Sequence, residues 1–133
     1  VDACASQFNM QCPRFIGKDP SPDGHKGQIA TNVLAYSFPR LPNGDREWVY
    51  VNPPWVLIPA LWAHFRQCHV RGVIVYPQML SKQWFHTIQQ EAKESWRFAK
   101  KEEHDVFLQP SLAYQRSVGP VPWDVWASRF DFA

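Results

Sequence analysis

The sequence predicts an α/β domain with a mainly parallel sheet flanked by helices. Two short runs, Trp48–Val51 and residues 73–76, are rich in β-branched and aromatic residues, which is typical of buried strands. Between them, apolar residues recur at helical spacing after Pro59. A strand, a helix and a second strand in this order favour a right-handed βαβ unit, in which the two strands run parallel.

The N-terminal third of the chain predicts one strand and several turns. Residues 1–5 are mostly small and apolar, and we expect them to form a short buried strand. Prolines, glycines and aspartates crowd residues 18–27, and Pro42-Asn43-Gly44 follows further along, so both places predict turns.

The Trp48–Val51 strand leads directly into two consecutive prolines. Neither Pro53 nor Pro54 has an N–H to donate, so the sheet ladder must stop and a stiff loop must follow. Pro59 suits the first turn of a helix, which we expect over residues 59–69. Ligands in open α/β sheets bind beyond the carboxyl ends of the strands, and both this loop and the segment after Ala5 would lie there.

The C-terminal half predicts a second helix and an extended tail. We expect the helix over residues 81–100 and a further strand at residues 106–108. Residues 110–133 predict an extended aromatic tail. The buried side of the second helix is predicted to carry Leu80, Trp84, Phe85, Ile88 and Ala92.

Composition limits the classes of protein. The 133 residues fit a single domain, 1–133, and the formal net charge is only +2. Lys100 and Lys101 are followed at once by two glutamates, so the sequence has no basic stripe. Any binding of nucleic acid must then come from local shape or from a partner chain.

Cysteine usage and hydropathy predict an intracellular, reducing compartment and no membrane span. The three cysteines, Cys4, Cys12 and Cys68, are odd in number and lack the pairing of a secreted disulfide framework. No stretch approaches the roughly 20 apolar residues of a membrane span. We expect no signal peptide, because the chain opens without a charged n-region and an apolar h-region. Because the chain opens directly on a predicted strand, we expect a processed chain or a piece of a longer one.

Metal binding is not predicted. Cys68 and His69, with His64 and the other cysteines, are the candidate ligands, but the sequence has no C-x-x-C pair. A free cysteine such as Cys68 is more often a small buried hydrophobe. A nucleophilic pair of Cys68 with a histidine has no support from the spacing.

The strongest chemical signal is the segment of residues 52–55, here called the 52–55 loop. The Asn52 side-chain oxygen and the Pro53 carbonyl are two acceptors that can hold the two hydrogens of a flat exocyclic amine. The prolines fix both acceptors before a substrate arrives, which lowers the cost of orientation. Trp55 offers a face on which a base can stack, for about 1–3 kcal/mol. The plain alternative is a strand stop, with Trp55 in the core.

With these motifs in place, the chain resembles a known family over roughly residues 1–90. It is similar to the phage-type DNA adenine-N6 methyltransferases, and more similar to the related domain that follows reverse transcriptase and RNase H in DIRS-type retroelements. The resemblance rests on residues 1–6, Asn9, residues 12–15, the 50–59 segment around the 52–55 loop, the 73–77 strand and residues 84–85.

The resemblance implies a truncated Rossmann-like methyltransferase fold that binds S-adenosylmethionine. It implies that residues 2–6 cradle the cofactor, with Asn32 standing where the family has an aspartate. The target adenine would lie against the 52–55 loop. The implied catalytic residues are Asn52, Pro53, Pro54 and Trp55, and the implied cofactor-binding residues are Asp2, Ala3, Cys4, Ala5, Ser6 and Asn32.

Two functions follow as hypotheses. The first is an S-adenosylmethionine-dependent N6-adenine methyltransferase acting on nucleic acid, with DNA favoured over RNA. The second is a catalytically silent descendant that serves as a structural or binding module among other protein subunits. The intact 52–55 loop favours the enzyme. The low net charge, the aromatic tail and the lack of the helix and Thr-Pro element that the family has before its first strand favour the silent module.

Overall fold

The computed structural model describes residues 1–5, 10–18, 27–103, 108–110, 115–117 and 120–133. Within these ranges the chain forms two α-helices, one 3-10 turn and eight strands. In chain order these are β1 (Phe15–Ile16), β2 (Gln28–Ala30), β3 (Trp48–Val51), the 3-10 turn (Trp55–Leu57), α1 (Ile58–Gln67), β4 (Arg71–Pro77), α2 (Gln83–Glu91), β5 (Glu94–Ala99), β6 (Leu108–Pro110), β7 (Gln115–Ser117) and β8 (Val125–Asp131).

The central sheet has four strands in the order β3-β4-β8-β5. β3 and β4 run parallel, with Val49 opposite Gly72 and Val51 opposite Ile74. The two strands approach so closely that a Cβ on Gly72 would lie 1.9 Å from the Val49 carbonyl oxygen, so this position requires glycine. The predicted parallel pairing of these strands across a connecting helix is confirmed.

The predicted fold class is nevertheless wrong. β8 lies between β4 and β5 and is antiparallel to both, so two of the three pairings in the four-stranded sheet are antiparallel. Both described helices are short, and both pack into the same core on one face of the sheet. The structure is therefore a mixed α/β fold, not a mainly parallel sheet flanked by helices of the truncated Rossmann-like methyltransferase type.

The structure departs from the predicted fold in the C-terminal half of the chain. The second helix ends at Glu91 instead of continuing to Lys100, and β5 follows it directly. The segment predicted as an extended tail supplies β8 to the middle of the sheet. Of the strand predicted at residues 106–108, only Leu108 lies within the described residues, where it begins β6.

Residues 1–3 lie between β1 and β3. Asp2 forms parallel bridges to Phe15 on one side and to Tyr50 on the other. β1 in turn pairs in parallel with β2. The carboxyl ends of β2, β1, residues 1–3 and β3 therefore open on the same edge of the sheet.

Aromatic packing fixes α1 on the sheet. Phe65 of α1 stacks on Phe130 of β8, with ring centroids 5.3 Å apart, and Trp62 meets the same ring edge-on at 5.2 Å. Such pairs contribute about 0.5–1.5 kcal/mol each beyond the burial of their area. The helix that follows the 52–55 loop is therefore anchored to the sheet at its centre.

Candidate functional site

The 52–55 loop is held at both ends. Val51, the last residue of β3, is fully buried, whereas Asn52 is exposed. On the other side, the Leu57 N–H donates to the Pro54 carbonyl over 2.9 Å, and the 3-10 turn runs into α1 with Pro59 in its first turn. The predicted position of this loop between a strand and a helix is confirmed.

The polar groups of the loop are not used by the described part of the chain. Within those residues, no hydrogen bond reaches the Asn52 side chain, the Pro53 carbonyl or the Trp55 indole N–H. The Trp55 side chain is 42% exposed, so it is not the core residue of the plain alternative. Asn52 and Trp55 are exposed, whereas Pro53 is buried. The loop therefore offers the Asn52 oxygen and an aromatic face to an external ligand, beside a Pro53 carbonyl that no described residue hydrogen-bonds.

The segment predicted to cradle a cofactor lies beside this loop. The Ala3 N–H donates to the Tyr50 carbonyl over 2.8 Å, and the Ala5 N–H donates to the Ile16 carbonyl over 3.1 Å. Because Asp2 is level with Tyr50 in a parallel pairing, Cys4 comes level with Asn52 two residues further along both chains. Residues 2–5 and the 52–55 loop thus meet at one edge of the sheet. Ser6 lies outside the described residues.

The Asp2 carboxylate is engaged inside the protein. Asp2 is only 2% exposed, and its Oδ2 accepts a hydrogen bond from the Gln11 N–H over 2.8 Å. Burial raises the pKa of Asp2 above its ordinary value, while hydrogen bonds from the Gln11 and Cys4 backbones oppose the rise. This carboxylate ties residues 10–14 to the start of the site.

The Cys4 thiol is not activated. Burial, helped by the nearby charge of Asp2, raises the pKa of Cys4 to about 12. Only the thiolate is a good nucleophile or metal ligand, so this side chain is a neutral thiol near pH 7. Residues 3–5 can serve a ligand through their backbone and their shape.

Asn32 lies at the same edge, beyond β2. Its side-chain oxygen accepts the Leu34 N–H over 3.0 Å and closes a local turn, which leaves its amide N–H groups to donate outward. Three strand spacings separate the ends of β2 and β3, or about 14 Å at the usual spacing. Only an elongated ligand would touch both Asn32 and Asn52.

Two exposed aliphatic residues at this edge were not predicted. Val56, next to Trp55, is 71% exposed, and Leu80 in the loop after β4 is also exposed. Leu80 was predicted to lie on the buried side of the second helix, and that prediction is wrong. Because α2 begins only at Gln83, Leu80 lies in the preceding turn, where the His86 ring contacts its carbonyl oxygen at 2.7 Å. The position of Pro77 was the available signal for a loop here.

The cysteines and histidines show no sign of a metal centre in the described part of the chain. All three thiols are free, and no group of three or more potential ligands among the described residues is arranged to hold an ion. Cys68 lies 3.7 Å from His64 Nε2, and that nitrogen is 2.7 Å from the Tyr36 carbonyl oxygen. Burial raises the pKa of Cys68, which argues against a nucleophilic pair.

Comparison with known proteins gives no relative: no family model, curated protein or solved structure matches the chain. None of the helices among the described residues has the length and apolar character needed to span a membrane. The site must therefore be interpreted from its own geometry.

Proposed function

We propose that the 52–55 loop binds the exocyclic amine of adenine in nucleic acid, for N6 methylation with S-adenosylmethionine as the donor. The observation that carries the proposal is the pair of unused acceptors, on Asn52 and Pro53, beside the exposed Trp55. The exposed Asn52 and Trp55 side chains lie on a loop held at both ends, and binding residues commonly lie on loops that a scaffold positions in this way. The family resemblance of residues 1–90 supports the same chemistry.

The chain's own residues would do two things for this reaction. Hydrogen bonds from the amine to Asn52 and Pro53 would draw the nitrogen toward tetrahedral geometry and localise its lone pair. Stacking on Trp55 would orient the base, for about 1–3 kcal/mol. Because the loop is already rigid, neither effect needs rearrangement at the moment of reaction.

Some of the residues predicted to bind the cofactor could still contact it. Residues 3–5 present their backbone next to Asn52, and Asn32 has outward amide donors for the far end of an elongated ligand. The Asp2 carboxylate does not fit the cradle role in the same way, because it is buried and already accepts backbone hydrogen bonds. S-adenosylmethionine, when bound, would supply an electrophilic methyl group.

Methyl transfer tests the proposal directly. The parent should transfer labelled methyl to adenine-containing DNA, with RNA as the comparison. Asn52→Ala should lower the rate about 10²–10³-fold, the usual cost of one preorganised polar contact. Trp55→Ala should weaken substrate binding.

Two matched controls lie away from the site. Asn43 is an exposed asparagine in a turn, and Trp48 is an exposed tryptophan at the opposite end of β3. Asn43→Ala and Trp48→Ala should leave the transfer rate unchanged. Loss of activity in these variants as well would mean that the proposed site is not specific.

A second candidate is a silent module that binds nucleic acid or protein subunits without catalysis. The engagement of Asp2 with Gln11 favours it, since that carboxylate is then not available to a cofactor. Calorimetric titration separates the two candidates. Heat from S-adenosylmethionine binding supports the enzyme. Oligonucleotide binding that depends on Trp55, without any cofactor heat, supports the silent module.

A further inference from the structure

A turn that the proposed reaction does not use lies beside the 52–55 loop. It joins β4 to α2 and comprises residues 79–82, here called the 79–82 turn. β3 and β4 are adjacent parallel strands, with Val51 opposite Ile74, and β4 continues three residues further, to Pro77. Both segments therefore leave the sheet at its carboxyl edge, from neighbouring strands.

The backbone of the 79–82 turn is fixed. The Lys82 N–H donates to the Met79 carbonyl over 2.9 Å, and the His86 ring lies 2.7 Å from the Leu80 carbonyl oxygen. The Met79 side chain packs against the main hydrophobic core. A ligand would therefore meet this turn in a defined conformation, which lowers the ordering cost of binding.

Two side chains of the turn nevertheless face solvent. Leu80 is 65% exposed, and Lys82 is exposed as well. Trp55 and Val56 are exposed at the same edge, so three of the six large exposed apolar side chains among the described residues lie there. A single exposed aliphatic residue is ordinary, whereas a group of three beside a candidate site is typical of a binding surface.

The positive charge of Lys82 is not paired within the described part of the chain, where no carboxylate forms an ion pair with it. The acid next to the turn is Asp124, whose backbone carbonyl accepts the Gln78 N–H. Its carboxylate is already engaged: Oδ1 accepts the Lys101 N–H over 2.6 Å, and Oδ2 lies 3.5 Å from Arg97. The Lys82 ammonium is therefore available to an external anion.

An exposed apolar side chain beside an unpaired cation matches the two parts of a nucleotide, its base and its phosphate. A purely apolar partner would instead leave the Lys82 charge desolvated and unpaired. We propose that the 79–82 turn binds the nucleotide next to the target adenine, with Leu80 against its base and Lys82 on its phosphate. The inference rests on the proposed function, because it places the adenine at the 52–55 loop.

The salt dependence of binding tests the phosphate contact. The probe is a single strand of thymidines with one central deoxyadenosine, and fluorescence anisotropy gives its affinity between about 50 and 200 mM salt. Each phosphate contact to a single strand adds about 0.7 to the slope of log affinity against log salt, so the slope of Lys82→Gln should be shallower by that amount. Lys93→Gln replaces an exposed lysine before β5, at the opposite end of the sheet, and should keep the parent's slope.

An abasic site next to the adenine tests the apolar contact. Removing the base on one of its two sides should weaken binding by the parent about three- to tenfold, as expected for partial burial of one apolar side chain. Leu80→Ala should bind the intact strand as weakly as the parent binds that abasic strand, with no further loss on the abasic strand itself. Trp48→Ala, which truncates an exposed side chain at the other end of β3, should behave like the parent.

Circular dichroism spectra must show that each variant is folded. The inference is overturned if Lys82→Gln keeps the parent's salt slope, or if Leu80→Ala still binds the intact strand more tightly than the abasic one. If either result comes with a parent that prefers adenine to hypoxanthine in the strand, the inference alone fails and amine recognition stands. A parent that binds no strand overturns both the inference and the proposed function.

Discussion

Residues 2–5 and the 52–55 loop lie side by side at one edge of the sheet, yet they use their polar groups in opposite ways. The Asp2 carboxylate is buried and accepts backbone hydrogen bonds from its own chain. The Asn52 amide and the Pro53 carbonyl are not hydrogen-bonded by any described residue. Both segments were predicted to bind ligand, but the Asp2 carboxylate is already used by the chain itself, whereas the acceptors of the 52–55 loop are not used by any described residue.

Two tryptophans show the same contrast. Trp62 is 3% exposed, packs against Phe130, and donates its indole N–H to Glu91 over 2.9 Å. Trp55 is exposed and has no such partner in the described part of the chain. A residue type that predicts binding is therefore informative only once its internal partners are known.

The largest expected effect is on the buried tryptophan. Trp62→Ala should lower the free energy of unfolding by about 3–5 kcal/mol, since it opens a cavity and removes the indole donor to Glu91. Trp55→Ala should change it by less than about 1 kcal/mol, because little packing is lost. Urea unfolding of both variants measures the difference. Equal losses would mean that Trp55 is also part of the core.

The next effect concerns Asp2. Asp2→Ala should cost about 1–3 kcal/mol of unfolding free energy, because the Gln11 and Cys4 N–H groups lose an acceptor in a buried place. Asp2→Asn keeps one acceptor oxygen and should cost less. If Asp2→Ala is instead as stable as the parent and loses only cofactor affinity, Asp2 is a ligand-contacting residue after all.

A smaller effect is the pH dependence of the same carboxyl. Because the folded-state pKa of Asp2 is raised, its contribution to stability is full below its ordinary value of 3.8 and is lost as pH rises through the raised pKa. The advantage of the parent over Asp2→Asn should therefore shrink as pH rises, as measured by thermal unfolding. An advantage that grows with pH would contradict the burial of this group.

Glu91 is an acid whose pKa is shifted in the opposite direction to that of Asp2. The hydrogen bond from Arg66 lowers the pKa of Glu91, despite some desolvation, and the Trp62 indole adds to the effect. Its contribution is present above its ordinary value of 4.5 and is lost as pH falls through the lowered pKa. The advantage of the parent over Glu91→Gln should grow with pH, opposite to the Asp2 pair. The same trend in both pairs would contradict the assignment.

The smallest effect on stability is expected at Asn52. Asn52→Ala should change the free energy of unfolding by less than about 0.5 kcal/mol, since the side chain is exposed and no described residue bonds to it. Urea unfolding checks this value. A loss of more than about 1 kcal/mol would show that the Asn52 side chain stabilises the folded loop and is not free to bind a ligand.

The sequence predicted the centre of the fold better than its C-terminal half. β3, the 52–55 loop, α1 and β4 were predictable because apolar runs and prolines mark their ends. β5 was mistaken for helix because the helical spacing of Trp84, Phe85 and Ile88 leads directly into it, and β5 itself has no regular alternation of buried and exposed residues. β8 was missed because its pairing partners, β4 and β5, are distant in the sequence, so nothing local reports them.

The candidate site was predictable in position but not in the state of its groups. Prolines after a strand located the 52–55 loop. The burial of Asp2 depends on the bridges to Phe15 and Tyr50 and on the bond from Gln11, which are tertiary contacts. The exposure of Leu80 likewise depends on where α2 begins. Residue identity alone predicts neither the burial of Asp2 nor the exposure of Leu80.

The most direct test of amine recognition compares two oligonucleotides of equal length, one of deoxyadenosine and one of deoxyinosine. Deoxyinosine replaces the amine with an oxygen, which would face the Asn52 and Pro53 acceptors without a hydrogen to share. The parent should bind the adenine strand at least about tenfold more tightly, the discrimination expected of a good bidentate contact. In Asn52→Ala the ratio of the dissociation constants for the two strands should fall toward one. Equal binding of the two strands by the parent, or a preference that survives in Asn52→Ala, would contradict the account.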